Sequence, residues 1–463
     1  PIYGLCKFKY VVGGMSRILV IGALGKLEGY DEVDYKIIGE RGSIYRSYTP
    51  FQALYNYFSD KGCEVDLLVF MPESLLALRK SYSINEVEEL VRNRVELRRK
   101  LLEKVFWEKI CKDSSEVVSS IGEYSLREGS RMVFNVSYDN VVAEMFIALT
   151  DRVMRGGYSE VHADISIGHN IYVSALVEAL RALIVFEKLR NIVYGEYDKK
   201  AYFHVSSPVI GGVKSAAIYS HEVDVKAFFE LPFKGRVKAD MIFGAGSKEE
   251  KEKVMNEVRD LKQYVELRDL VDRLWRKLKP AFNAIKYNIP LAFFHDKLIH
   301  FEEEDMNTSM NTLSKTKELI RILLERTETR IEGNKLFIER IPLNSKVIAN
   351  ILYSAALLES IARFWREKID GREPELGYIE EAFKELYERL GQEILTYFLE
   401  RDVREQTSKL TGKEFRGYEI RNFYAHSGMS QNQTNFNRKN NKVIARYKAE
   451  WIGTIKKWLL KPE

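Results

Sequence analysis

Val161-His162-Ala163-Asp164-Ile165-Ser166-Ile167-Gly168-His169-Asn170 reads as a strand that runs into a glycine and opens a helix over Ile171 to Leu189. The same unit recurs around it. Arg17-Ile18-Leu19-Val20-Ile21-Gly22 is a short apolar run ending in glycine, as expected of a buried first strand. Thr49-Pro50 opens a helix over Pro50 to Asp60, with Thr as cap and Pro in the first turn, and Glu64 to Phe70 follows as a strand. Glu86 to Lys112 reads as one long helix. After Gly129, Met132 to Val136 is a strand, Asn140 to Met154 a helix, and Ala201 to Val205 the last strand. This alternation predicts a Rossmann-like α/β domain, a mainly parallel sheet with helices on both faces.

The pattern changes after residue 222. Val223 to Ala245 is punctuated by Pro232, Gly235 and Gly244 and reads as a hairpin-like connector. From Lys248 onward the apolar spacing is helical, with long amphipathic segments over Ser314 to Arg330, Ser345 to Ile369 and Tyr378 to Val403. The expected fold class is α/β plus all-α, with domains at 15–222 and 247–463 and a connector at 223–246. Ser430 to Asn441, rich in Asn and Gln, is assigned to a loop.

A chain of 463 residues is long for a single core, and 45% hydrophobic content favours folded domains over disorder. Lys and Arg number 72 against 67 Asp and Glu, so a net charge of +5 does not mark a nucleic-acid binder without a look at its distribution. Cys6, Cys63 and Cys111 are too far apart for a zinc site or a disulfide framework and read as reduced thiols. No apolar run approaches the roughly 20 residues of a bilayer span. The richest, Ile171 to Phe186, is broken by Glu178 and Arg181. Lys7 and Lys9 interrupt the first 14 residues, which do not read as a secretory signal. A soluble, cytoplasmic protein with no membrane partner is expected.

Two loops carry ligand signals. Gly168 lets a ligand approach the backbone, and the free N–H groups of the following helical turn would face it. Ser166 and Asn170 can read sugar or base groups, and His169 can stack or donate a hydrogen bond. The plain alternative is a helix cap beside a buried Asp164. Gly22-Ala23-Leu24-Gly25 follows the first strand, either as a simple turn or as a second wall of the same site. Both loops fall at the carboxyl edge of the predicted sheet, where doubly wound folds bind ligands.

Arg421-Asn422-Phe423-Tyr424-Ala425-His426-Ser427-Gly428 carries the other chemistry. On a helix, Asn422 and His426 share a face, and Arg421 is turned from Asn422 by roughly 100°. Ile420, Phe423 and Tyr424 form an apolar stripe beside them, and Gly428 fits a helix end. Arg421 offers planar donors to phosphate oxygens, and His426 can serve as base or acid. Such groups suit RNA cleavage by attack of the 2′-hydroxyl on the adjacent phosphate. No carboxylate cluster accompanies the motif in sequence, which argues against a two-metal mechanism; no metal site is assigned. One histidine cannot easily be both base and acid, so a twofold-related copy is an attractive second source. The stretch from Thr434 onward mixes basic residues with Phe436, Tyr447, Trp451 and Trp458, a composition suited to single-stranded RNA. For Trp451 and Trp458, seven apart, inward packing of a last helix is the preferred reading.

The two halves together resemble the CRISPR-associated CARF–HEPN ribonucleases, ancillary nucleases of type III systems. The HEPN resemblance rests on Arg421 to His426, the R-x4-6-H motif. The CARF resemblance rests on Gly22 to Gly25, Tyr30, Tyr35 and Asp164 to Asn170. It implies an N-terminal CARF domain that binds a cyclic oligoadenylate activator, with cyclic tetra-adenylate expected, and switches on single-stranded RNA cleavage in a helical HEPN domain. Arg421 and His426 would be catalytic, supported by Asn422; Gly25, Ser166, Gly168, His169 and Asn170 would contact the activator. No cofactor is required for catalysis. A homodimer is the minimum assembly, with a hexamer as the larger alternative. Ala23-Leu24 departs from the polar-aromatic pair that relatives often carry. Two other readings compete: a ligand-responsive nucleic-acid-binding regulator without catalysis, and an unregulated RNase toxin.

Overall fold

The computed structural model describes residues 16–461 apart from 28–29, 40–42, 79–81, 104–113, 127–128, 195–198, 210–211, 234–237, 245–246, 409–418 and 441. Cys6, Cys111, Gly235 and the first 14 residues lie outside that set. The first half runs β1 (Arg17–Ala23), β2 (Val33–Ile37), β3 (Ile44–Ser47), α1 (Pro50–Asp60), β4 (Glu64–Pro72), α2 (Ile84–Arg92) and α3 (Arg94–Leu102). It continues with β5 (Ser115–Val118), β6 (Gly122–Ser125), β7 (Arg131–Asn135), α4 (Tyr138–Gly156), β8 (Glu160–Asp164), α5 (Asn170–Asn191), β9 (Lys200–Ser206) and β10 (Ser215–Glu222).

Eight of these strands form one sheet in the order β3-β2-β10-β9-β8-β1-β4-β5. Strands β9, β8, β1, β4 and β5 are parallel, and β10 reverses direction against β9. Side chains alternate across β1, as strand geometry demands. Leu19, Ile21 and Ala23 face the core shared with α4 and α5, whereas Ile18 and Val20 join the opposite layer with Phe51 and Leu54 of α1. Among the five parallel strands, the succession runs from β1 outward to β4 and β5, then resumes on the other side of β1 with β8 and β9. The β1/β8 boundary is therefore a topological switch point.

The second half holds α6 (Lys248–Val258), α7 (Lys262–Lys286), α8 (Thr308–Glu325), β11 (Glu328–Glu332), β12 (Lys335–Glu339), α9 (Ser345–Lys368), α10 (Leu376–Arg389) and α11 (Glu393–Ser408). Then follow α12 (Glu419–Ala425), β13 (Thr434–Lys439), β14 (Lys442–Tyr447) and α13 (Ile452–Leu460). Helix α9 is long and apolar enough to cross a bilayer by composition, contrary to the expectation that no run comes close. Its most apolar window is 78% buried, packed among the other helices as a core element.

Several local expectations change. Glu86 to Lys112 is not one helix within the described residues: Asn93 ends α2 and caps α3, its side chain accepting from the Glu96 N–H. Tyr378 to Val403 is interrupted where Gly391 takes φ +65°, separating α10 from α11. Met132 to Val136 is extended, but β7 lies outside the main sheet and pairs in parallel with β12 of the second half. The helix expected over Ser314 to Arg330 stops at Glu325 and gives way to β11. The Asn-rich Ser430 to Asn441 contributes β13 of a hairpin, with Asn440 at φ +48° in the turn, a conformation Asn tolerates. The helical half thus carries two hairpins that period alone did not show.

The halves are joined by more than β7. Arg340, after β12, donates to the Glu73 carboxylate, which Arg94 also approaches at 3.2 Å. Arg94 in turn pairs with Glu144 at 2.7 Å. Glu73 and Arg340 are almost wholly buried, so each charge depends on the other.

Candidate functional site

The loops after β1 and β8 meet at the switch point. A Cβ built on Gly25 would lie 3.0 Å from the Gly168 Cα, and Gly168 has φ +110°. Neither position has room or backbone freedom for a side chain. The Tyr30 hydroxyl accepts from the Gly25 and Lys26 N–H groups, both at 3.3 Å, and the Lys26 ammonium lies over its ring. Below the loops, Asp164 is fully buried. One carboxylate oxygen accepts from the Ser166 N–H at 2.9 Å, and the other has no hydrogen-bond partner among the described residues. Burial pushes this carboxyl up to about 7. The same burial, with Asp164 nearby, pushes the Tyr35 phenol up to about 12.

Gly25 and Gly168 are brought together, and His169 and Asn170 stand exposed beside them. His169 caps α5 without a side-chain hydrogen bond, its carbonyl accepting from the Tyr172 and Val173 N–H groups. Ser166 is turned away: its hydroxyl accepts from the Ser206 N–H at 2.6 Å and ties the loop to the end of β9.

In the second half, α12 holds Arg421, Asn422 and the approach to His426. Phe423 is fully buried against Tyr447 and Trp458, with ring centroids 6.0 and 5.1 Å away, and the Tyr424 hydroxyl donates to the Trp458 carbonyl. Trp458 is therefore an inward-packing residue, and Trp451 leans on it. With one face anchored, Arg421 is left exposed and Asn422 and His426 half-buried. The helix stops through Ser427, at φ +50°, and the Gly428 N–H reaches back to the Phe423 carbonyl. Serine, not glycine, thus takes the first left-handed position of this Schellman turn.

The expected absence of carboxylates near the motif does not hold in space. Asp402 of α11, 1% exposed, places an oxygen 3.7 Å from His426 Nδ1. Arg401 Nε and Nη2 donate to that same oxygen, at 3.1 and 2.9 Å. Ser427 Oγ donates to the other oxygen at 2.6 Å and itself accepts from Asn288 Nδ2 at 2.9 Å. Glu405 lies close enough that its carboxylate, Asp402 and His426 offer atoms within 4.8 Å of one another. Asp402 was legible only indirectly: it shares the buried side of α11 with Leu399, Val403 and Gln406, a charge where an apolar residue is expected.

A doubly wound domain with a glycine-walled switch point, joined to a helical domain with an Arg-Asn-x3-His helix, is a CARF–HEPN architecture. The family model for the CARF domain of the CRISPR system endoribonuclease Csx1 matches residues 19–208. The model for the HEPN domain of the same endoribonuclease matches residues 368–450. The chain belongs to the CRISPR-associated CARF–HEPN ribonuclease family. Among solved structures, Enterococcus italicus Csm6 bound to cyclic hexa-2'-fluoro-hexa-dAMP is 11% identical over 89% of this chain and 91% of its own, with a TM-score of 0.21, a likeness too loose to build on. No curated protein matches the chain.

Proposed function

We propose that the protein is a metal-independent endoribonuclease of CRISPR antiviral defence, acting in the cytoplasm on single-stranded RNA and switched on by a cyclic oligoadenylate, with cyclic tetra-adenylate the expected ring. The observation that carries the nuclease reading is the placement of Arg421 and Asn422 on one anchored helix, with His426 in the turn that ends it, inside the HEPN match. In cleavage the 2′-oxygen bonds to phosphorus and loses its proton to a base. The bond from phosphorus to the 5′-oxygen breaks, and that oxygen takes a proton from an acid. The products are a 2′,3′-cyclic phosphate and a 5′-hydroxyl. Arg421 stabilises charge on the phosphoryl oxygens, and Asn422 on the His426 face supports their placement.

One His426 supplies one proton-transfer group, so base and acid are divided between two copies of the chain around a twofold axis. Ile394, Tyr397 and Phe398 stand exposed on α11 beside the motif and offer apolar surface for that second copy. Gly25, Gly168, His169 and Asn170 receive the activator, and Ser166 shapes their loop. The activator gates cleavage by binding the competent arrangement more tightly than the idle one. Labelled single-stranded RNA incubated in EDTA with cyclic oligoadenylates of several ring sizes tests the proposal. Cleavage that needs activator and vanishes in His426→Ala, with activator binding retained, is expected; retained cleavage in that variant removes the catalytic assignment.

A further inference from the structure

We infer that Asp402 is a positioning residue that holds His426 with Nδ1 protonated, which makes Nε2 the atom that takes the 2′-hydroxyl proton. The inference rests on the ribonuclease reading above. A carboxylate is an acceptor, and the ring atom that faces it is Nδ1, at 3.7 Å. That separation is within ion-pair range and longer than a hydrogen bond, and catalytic contacts often tighten only when substrate binds. The carboxylate itself has little freedom. Arg401 holds one oxygen with two N–H donors, and Ser427 holds the other. Ser427 follows His426 directly, and Arg401 also donates to the Ala425 carbonyl just before it, at 3.1 Å. The residues on both sides of His426 are thus tied to Asp402 or its partner. An imidazole whose Nδ1–H points at a fixed acceptor presents the lone pair of Nε2 on its opposite edge. In the step, O2′ bonds to phosphorus as its proton passes to Nε2, and the ring becomes an imidazolium facing the Asp402 carboxylate. The leaving 5′-oxygen takes its proton from the second copy's imidazolium, which becomes a neutral imidazole as the first ring becomes charged.

The same atoms could instead be read as ligands, since Asp402, Glu405 and His426 cluster within 4.8 Å. The Arg401 guanidinium argues otherwise. It occupies the Asp402 oxygen nearest His426, where a metal ion would have to sit against a fixed positive charge.

The test compares wild type, His426→Ala, Asp402→Asn and Ser427→Ala on labelled RNA in EDTA with cyclic tetra-adenylate. Nitrogen NMR of histidine-labelled wild type and Asp402→Asn adds the tautomer of His426, assigned by its loss in His426→Ala. Asp402→Asn is expected to lose about 100-fold in kcat with KM nearly unchanged, the scale of a misplaced general base. Ser427→Ala should lose about tenfold, again in kcat. The wild-type His426 signal should be that of the Nδ1–H form, shifting toward Nε2–H in Asp402→Asn. Asp402→Asn activity within about threefold of wild type overturns the inference. So does wild-type cleavage that EDTA abolishes and Mn2+ restores, which would make the cluster a metal site. Should Asp402→Asn not fold, an Nε2–H wild-type signal overturns it and an Nδ1–H signal supports it. If no wild-type cleavage occurs, the ribonuclease reading fails, while the tautomer still decides what Asp402 does to His426.

Discussion

Gly25 and Gly168 touch across the β1/β8 boundary: a methyl group on Gly25 would lie 3.0 Å from the Gly168 Cα. Two loops separated by more than a hundred residues are in backbone contact because β1 and β8 are paired in parallel and end at the same edge. Ala23 joins them, its carbonyl 3.3 Å from where a Gly168 Cβ would stand.

Gly168→Ala should therefore disturb the activator loop. Alanine at φ +110° costs on the order of 1–3 kcal/mol. Part of that cost should fall on the binding-competent loop, weakening cyclic tetra-adenylate binding about tenfold or more. Calorimetric titration measures it, and unaltered affinity contradicts the placement of the activator.

Gly428→Ala and Arg421→Ala should separate folding from chemistry. A methyl group on Gly428 would lie 2.5 Å from Ile289 Cγ2, at φ +68°, and should destabilise by about 2 kcal/mol. Arg421 is exposed, so its replacement should leave the melting temperature nearly unchanged. It should lower kcat by about 100-fold, the scale of losing one charge-stabilising group. Thermal melts beside cleavage rates distinguish the two.

Arg340→Met leaves Glu73 buried beside Arg94 alone. A broken buried pair typically costs about 3–5 kcal/mol. Glu73→Gln in the same chain should recover part of the loss, because the orphaned charge is removed. A double variant no more stable in urea than Arg340→Met would contradict this account of the junction.

Acid and base should act oppositely on the sheet. His162 Nδ1 and His204 Nε2 lie 2.9 Å apart, both rings are buried, and burial holds both below the usual imidazole range. Neutral rings contribute stability that is complete above about pH 6.5 and lost as pH falls toward the folded-state values. Asp164 has the other sign. With its carboxyl raised to about 7 in the folded state, its contribution is complete below its unfolded value of 3.8 and lost as pH rises through 7. Asp164→Asn should thus gain stability relative to wild type between pH 6 and pH 8 by roughly 1 kcal/mol. Urea midpoints across that range check the sign.

The alternation of strands and helices in the first half was legible because burial on both faces leaves continuous apolar runs, as Ile18 to Ala23 show. Strands β2 and β3, at one end of the sheet, were not, since their half-exposed residues give short, mixed patterns. The R-N-x3-H stretch could be placed on a helix because Ile420, Phe423 and Tyr424 recur with helical spacing. Breaks at Asn93 and Gly391 were passed over because amphipathic spacing continues across both.

Spacing along the chain settled the type of each domain, the helix that carries Arg421 and leads into His426, and the loops at the sheet's carboxyl edge. Those are properties of a few neighbouring residues, set by period, capping and backbone freedom. Which strand β7 joins, the turning of the Ser166 hydroxyl onto Ser206, and the meeting of Asp402 with His426 came only from folding. Each depends on contacts between distant segments, and a local pattern records that a residue is buried without recording against what.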